Sequence, residues 1–418
     1  MWGPVDRAPR LRDPSAADRV RRSLPELRAT CSGRVVLALV LLLQTGVAQP
    51  TARFDGGTFD PLVERGILEG AYPGAALVVG RRDRVLFAHG YGHLTWSTSS
   101  PRVDPESTLY DLASLTKVIA TTTSLMLLVD RGTVQLDAPV AAYVPEFDGP
   151  GTAGITVRHL LAHTSGLRAD LPDAELKALR DSGALMRRVL GETPRVPPGR
   201  RVIYSDLNAI VLGEVVQRAS SEPLDVFAAR ELFAPLGLRE TRFRPPIRMR
   251  ARIAPTGVWR GHAVAGVVND ASAFKLGGVS GNAGLFAGAL DVARFAQFML
   301  REGALPDGRQ LVRAETVREF LKRAAAPERG TGAEARALGW QAVPTGETVS
   351  SAGTLLGPRS FGHTGWTGTS LWIDPDRNLF VVLLTNRAFA PRARRSFTAL
   401  KTVRGQIADA AARASDAR

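Results

Sequence analysis

Strand-like segments sit near the two ends of this 418-residue chain, and helical patterns fill the span between them. Few arrangements suit that order. The terminal strands must meet in one sheet, with the middle packed on it or inserted into it. At the N-terminal end, Ala75–Val79 and Val85–His89 are apolar runs separated by the turn Arg81–Arg84. At the C-terminal end, Leu371–Ile373 and Leu379–Leu384 flank the turn Asp374–Asn378. Hairpins join antiparallel neighbours. The expected fold class is therefore α+β: an antiparallel β-sheet flanked by helices, with a mostly helical inserted subdomain.

The helical signals are periodic. Phe59–Leu68 places Leu62, Val63, Ile67 and Leu68 on one side, with Gly70 as a stop. Leu115–Asp130 repeats apolar residues at Val118, Ile119, Leu125, Met126 and Val129, and Gly132 closes it. Residues 134–330 alternate short helical patterns with Pro- and Gly-rich loops, and a last helical stretch spans 395–411. No repeat or composition break divides residues 49–418, so they read as one domain.

Residues 1–48 read as a leader. Val35–Leu43 is an unbroken apolar run, preceded by basic residues and followed by small residues up to Ala48. That is the pattern of a secretory signal at about 35–48, with Ala48 the last residue removed. The run is too short for a membrane span, which takes about 20 residues. A periplasmic or secreted product is expected, with no integral span once the leader is gone. The single cysteine, Cys31, excludes a disulfide-built scaffold.

A formal net charge of +14 raises nucleic acid as a partner. The first fifty residues hold eight Arg against four acidic residues, and the last 32 hold eight basic residues against two Asp. Most of the surplus thus sits at the ends, and no nucleic-acid partner is expected. The basic positions Arg387, Arg392, Arg394 and Arg395 read as a solvated face. Only five of the 54 basic residues are lysines.

One of those lysines stands in Ser114-Leu-Thr-Lys117, where the long apolar helix begins. At a spacing of three, both side chains share one helical face. A serine hydroxyl needs a base before it is a useful nucleophile, and a lysine can serve when its pKa is lowered. Ser272-Ala-Phe-Lys275 repeats the pattern but opens no long helix, so it reads as structural. Tyr204-Ser205-Asp206 follows a Pro-Pro-Gly turn and precedes another apolar helix. A tyrosine near a lysine can share its proton work. Phe361-Gly-His-Thr-Gly-Trp366 enters the final strand pair.

These motifs, in this order, resemble the β-lactamase-related serine hydrolases, the group of class C β-lactamases, DD-peptidases and similar esterases. The resemblance extends to His163-Thr-Ser-Gly-Leu167 and to the glycine-rich stretch Leu276–Phe286, and runs from about Phe59 to about Ala399. It implies that Ser114 is the acylated nucleophile, Lys117 the base or proton store, and Tyr204 the proton shuttle. It implies that His363, Thr364 and Gly365 form the strand wall of the site. The N–H groups of Ser114 and Trp366 would form the oxyanion hole.

Two positions depart from the pattern. His363 stands where β-lactamases usually carry Lys, and a mostly neutral imidazole suits anionic β-lactams less. Replacing it by lysine is expected to improve use of carboxylate-bearing substrates. Asp206 stands where Asn is frequent, and its carboxylate would keep Lys117 charged. The expected function is an exported serine hydrolase acting through an acyl-enzyme on small esters or D-amino-acid amides and peptides. The alternatives are a β-lactamase or DD-carboxypeptidase acting on β-lactams or peptidoglycan, and a catalytically idle scaffold that binds peptidoglycan.

His159 and His163 are four apart, but no H-E-x-x-H glutamate lies between them, so they read as structural. No metal or cofactor is expected. His89, His93 and His262 stand alone. Tyr91, Trp96 and Tyr110 are candidates to line the cleft, although aromatics are more often just core, and Asn269-Asp270 is a candidate to hold the glycine-rich loop.

Overall fold

The computed structural model describes residues 53–325, 335–344, 350–389 and 397–417. The leader at 1–48 with Cys31, and Arg392, Arg394 and Arg395, lie outside them. The strands are β1 (Gly74–Gly80), β2 (Val85–Gly92), β3 (Leu109–Asp111), β4 (Arg242–Phe243), β5 (Gly257–Trp259) and β6 (His262–Val264). They continue with β7 (Leu285–Gly288), β8 (Gln341–Ala342), β9 (Phe361–Thr364), β10 (Ser370–Asp374) and β11 (Leu379–Thr385). Six of them form one sheet in the order β2-β1-β11-β10-β9-β8. Its pairs are antiparallel, with Leu77 opposite Leu383 and Val78 opposite Val382. Both expected hairpins are present, β1–β2 and β10–β11, and the first and last strands lie side by side.

Neither β1 nor β11 shows polar alternation, because both faces are covered. Every residue of Gly74–Gly80 and Leu379–Thr385 is buried. Side chains alternate across a strand. Ala76, Val78, Phe380, Val382 and Leu384 join the main core with the middle helices. Ala75, Leu77, Val79, Val381 and Leu383 face the two terminal helices, Gly56–Leu68 and Phe397–Asp416. Between β3 and β4 every element is helical, which is the inserted subdomain.

Two helices differ from expectation. In Gly56–Leu68 the buried stripe is Phe59, Val63 and Gly66, while Leu68 is 86% exposed. The helix begins earlier than its apolar residues suggest, capped by Asp55, which accepts the Thr58 N–H. The Tyr72 hydroxyl, donating to the Val63 carbonyl, fixes which side faces inward. The second helix is not uniform either. Lys117–Thr122 forms wide π-type turns before the regular helix Thr123–Asp130. The Thr123 hydroxyl donates to the Val118 carbonyl five residues back, at 2.7 Å, and Thr121 donates outward to Gly281 O. Such widened turns concentrate at functional sites.

Among the described residues no helix is long and apolar enough to cross a membrane.

Candidate active site

Ser114 is delivered by β3. The chain leaves that strand through Ala113, whose φ of +46° lies in the left-handed region that costs a non-glycine residue energy. Asp111 holds the turn: one carboxylate oxygen accepts the Ala113 N–H at 2.9 Å and the other accepts the Asn269 N–H at 2.7 Å. Burial pushes the Asp111 carboxyl up to about 6.

The turn after β9 is tied to the same segment. Thr367 donates to the Asp111 carbonyl and Thr369 to the Leu112 carbonyl. A Cβ on Gly365 would lie 2.2 Å from the Thr369 hydroxyl and 2.6 Å from the Leu112 carbonyl, so only glycine fits there. The N–H groups of Ser114 and Trp366 donate to no protein acceptor among the described residues. Two donors are thus available on either side of this junction.

Lys117 lies one turn beyond Ser114 and is buried. Its Nζ donates to Ser114 Oγ at 2.9 Å and to the Asn282 carbonyl at 3.0 Å, and pairs with Asp206 Oδ1 at 2.6 Å. Gly281 lets the glycine-rich stretch come this close: a Cβ there would meet the Ala209 carbonyl at 1.9 Å. Burial works against the lysine's charge. The Asp206 carboxylate and Tyr204 outweigh it and hold its pKa above the ordinary value. Together they favour the charged form of Lys117.

Tyr204 precedes the helix Asp206–Ser220, whose cap is Ser205. Its hydroxyl lies near enough to Lys117 and Ser114 for both to act on its pKa. Burial raises its pKa, with Lys117 pulling the other way, so the phenol keeps its proton at neutral pH. Lys117 Nζ lies 5.1 Å from the centre of its ring.

His363 stands on β9 with its ring 5.8 Å from that of Tyr204. Its Nδ1 is 2.9 Å from the Thr364 carbonyl, so Nδ1 carries the proton and Nε2 is an acceptor. The buried Nε2 has no partner among the described residues. Burial, Arg336 and Lys117 drive the pKa well below the usual histidine value. The imidazole is neutral, as the sequence led one to expect.

Ser114, Tyr204, Asp206, His363, Thr364, Gly365 and Trp366 line one cleft of about 590 Å³, with Lys117 beneath Ser114. The structure adds residues that the sequence did not single out. Arg336 is buried, lines the same cleft and lies 4.9 Å from the Tyr204 ring. One arginine among 49 carries no signal. Asp170 and Asp173 lie on the rim, and burial raises the Asp170 carboxyl to about 6, with Asp206 adding to it. Trp366 is 54% exposed at the mouth and packs on Phe397 at 4.8 Å.

Arg387 corrects an expectation. It is buried, not solvated: it donates to the Trp366 carbonyl at 3.0 Å and stacks on Phe397 at 3.5 Å. The three aromatics weighed between cleft and core, Tyr91, Trp96 and Tyr110, do not line the cleft. Tyr110 sits in the core, and Tyr91 donates to Asp60 on the N-terminal helix. The second Ser-x-x-Lys falls in the helix Ala271–Lys275, where Lys275 donates to the Leu179 carbonyl away from Ser114. Asp270 does hold the glycine-rich loop, accepting from Asn282 Nδ2 at 3.2 Å. His159 caps the helix Val157–Leu161, accepting the Thr156 N–H.

The family model described as Beta-lactamase matches residues 57–403. An Escherichia coli K12 protein named "Putative D-alanyl-D-alanine carboxypeptidase" is 34% identical over 357 residues, covering 77% of this chain and 80% of that protein. The solved structure of EstCE1, a hydrolase with promiscuous acyltransferase activity, superposes with a TM-score of 0.68 at 22% identity, over 84% of this chain and 98% of that one. A class C β-lactamase from Rhodobacter sphaeroides gives 0.65 at 22% identity, over 84% and 99%.

Proposed function

The chain belongs to the Beta-lactamase family of acyl-enzyme serine hydrolases, and from that premise we propose that Ser114 is its nucleophile and that Tyr204 carries the proton. The observation behind this reading is the position of Tyr204, which lines the same cleft as Ser114 with its ring centre 5.1 Å from the Lys117 Nζ that bonds Ser114.

A phenol that keeps its proton works as a relay. As Ser114 Oγ attacks the substrate carbonyl, its proton passes to Tyr204 Oη, while the tyrosine's own proton goes to the leaving group. The bond to the leaving group breaks, and Tyr204 is neutral before and after. Water then attacks the acyl-enzyme, gives a proton to Tyr204, and Tyr204 returns one to Ser114 Oγ. Lys117 stays charged throughout and steadies the oxygen that gains negative charge. The N–H groups of Ser114 and Trp366 are placed to receive the carbonyl oxygen. Removing one such donor typically costs about 2.7–4 kcal/mol in the transition state.

The substrates are small esters and D-amino-acid amides or peptides, ahead of β-lactams. His363 adds no positive charge to the wall of the site, but Arg336 brings a permanent one into the same cleft. A substrate ending in a carboxylate fits that guanidinium. This agrees with the carboxypeptidase name of the E. coli relative. The leader read at 35–48 supports a periplasmic or secreted site for this chemistry.

The test compares wild type with Ser114→Ala on a fluorophosphonate probe, a chromogenic short-chain ester, a D-alanyl-D-alanine peptide and a chromogenic cephalosporin. Labelling should depend on Ser114, and ester and peptide should turn over faster than the cephalosporin. Equal labelling of both proteins would remove Ser114 from the mechanism. Faster cephalosporin turnover would reverse the substrate order.

A further inference from the structure

His163 is a buried histidine with a left-handed φ of +56°, at the end of the helix Val157–Leu161. Its backbone carbonyl accepts the Ile203 N–H at 2.8 Å. Its ring Nδ1 accepts the Ser205 N–H at 3.1 Å and faces the side-chain amide of Asn208 at 3.3 Å. One residue therefore grips the chain on both sides of Tyr204. Its ring also packs against the Tyr204 ring, with centroids 4.7 Å apart.

The hydrogen bonds settle the tautomer. The Ser205 N–H can only donate, so Nδ1 must be a bare acceptor and the proton sits on Nε2. The Asn208 amide is oriented in turn, because its oxygen accepts from Ser165 Oγ at 2.6 Å and leaves its NH₂ for His163. Burial, with Arg336, Lys117 and His363 nearby, holds the His163 pKa well below the usual value.

We propose that His163 is a positioning residue for the reaction: by clamping residues 203 and 205 and packing on the ring between them, it sets the phenol at the distance from Ser114 that proton relay requires. This rests on the reading of Tyr204 as the proton carrier. The clamp acts on the backbone beside the tyrosine, so its loss changes where the hydroxyl sits and not whether substrate enters. The expected signature is a loss in kcat with KM little changed.

The experiment is a double-mutant cycle between His163→Leu and Tyr204→Phe, read by kcat and KM on a short-chain alkyl ester, with active-site titration to correct for misfolded protein. His163→Leu should lower kcat about 100-fold, within the range for a displaced acid–base group, and change KM less than about twofold. In the Tyr204→Phe background the same substitution should cost less than about threefold. His163→Asn keeps an acceptor where Nδ1 stands and tolerates the left-handed backbone, so it should retain activity within about tenfold. His163→Gln moves its acceptor outward and should not. Equal losses from His163→Leu in both backgrounds would overturn the positioning role while leaving Tyr204 in the mechanism. Full activity of Tyr204→Phe would instead remove the proton relay itself, and the clamp with it. Equal activity of the Asn and Gln variants would also refute the clamp.

Discussion

Lys117 Nζ and Asp206 Oδ1 lie 2.6 Å apart beneath Ser114, with side-chain exposures of 4% and 20%. Removing one member of a buried pair leaves the other charge uncompensated, which typically costs about 3–5 kcal/mol. Asp206→Ala is expected to lose stability of that order in urea denaturation at pH 7. Lys117 has a folded pKa above its unfolded value. Its contribution is therefore complete below the unfolded value of about 10.4 and fades as pH rises past it. The stability gap between wild type and Asp206→Ala should stay flat from pH 6 to 9. A gap that already closes by pH 8 would mean the lysine is neutral.

Asp111 depends on pH in the same direction but in a lower range. Its folded pKa of about 6 lies above the unfolded carboxylate value, so protonation favours the folded state. That contribution is complete below about pH 4 and lost as pH rises through 6. Relative to Asp111→Asn, the wild type should gain about 1 kcal/mol between pH 7 and pH 5. Parallel stability curves for the two proteins would contradict the shift.

Arg336→Ala should separate two substrate classes. A charge-assisted bond is worth about 1.5–3 kcal/mol, so kcat/KM on a peptide ending in a free carboxylate should fall about 10- to 100-fold. The same peptide as its methyl ester, or a neutral acetate ester, should change less than about fivefold. Equal losses on all of them would place Arg336 in support of Tyr204 and not in carboxylate binding.

His363→Lys now has a different expected outcome from the one its sequence position suggests. Arg336 and Lys117 already depress the His363 pKa. A lysine there would be a third cation in a buried space, so we expect a stability loss of roughly 2–4 kcal/mol and no gain with carboxylate substrates. Thermal denaturation and cephalosporin turnover check this. Faster turnover at unchanged stability would restore the first expectation.

The elements that were legible in the sequence are those whose signal is local. β1–β2 and β10–β11 are hairpins with polar turns between apolar runs, and the pairing of chain ends follows from them. Ser114, Lys117 and Tyr204 are legible because their types and order are rare together. Side chains that reach the cleft from a distance are not legible. Arg336 comes from a segment without regular pattern, and Arg387 looks like any exposed arginine until Phe397 and Trp366 are seen around it. His163 shows a family-like motif in sequence, but its grip on residues 203 and 205 exists only once some forty intervening residues have folded back.

The pairing of β1 with β11 joins residues about 300 positions apart in the chain. Contacts of such long range form late, because the loop between them must close first. Until the last few dozen residues are made, β1 has no partner on its inner edge and β9 has no neighbour beyond β8. Serine, lysine and tyrosine are all synthesised well before that point, yet the strand that walls their site is among the last pieces to arrive. The wall of the site on β9 is thus completed on its inner side only when β10 and β11 arrive.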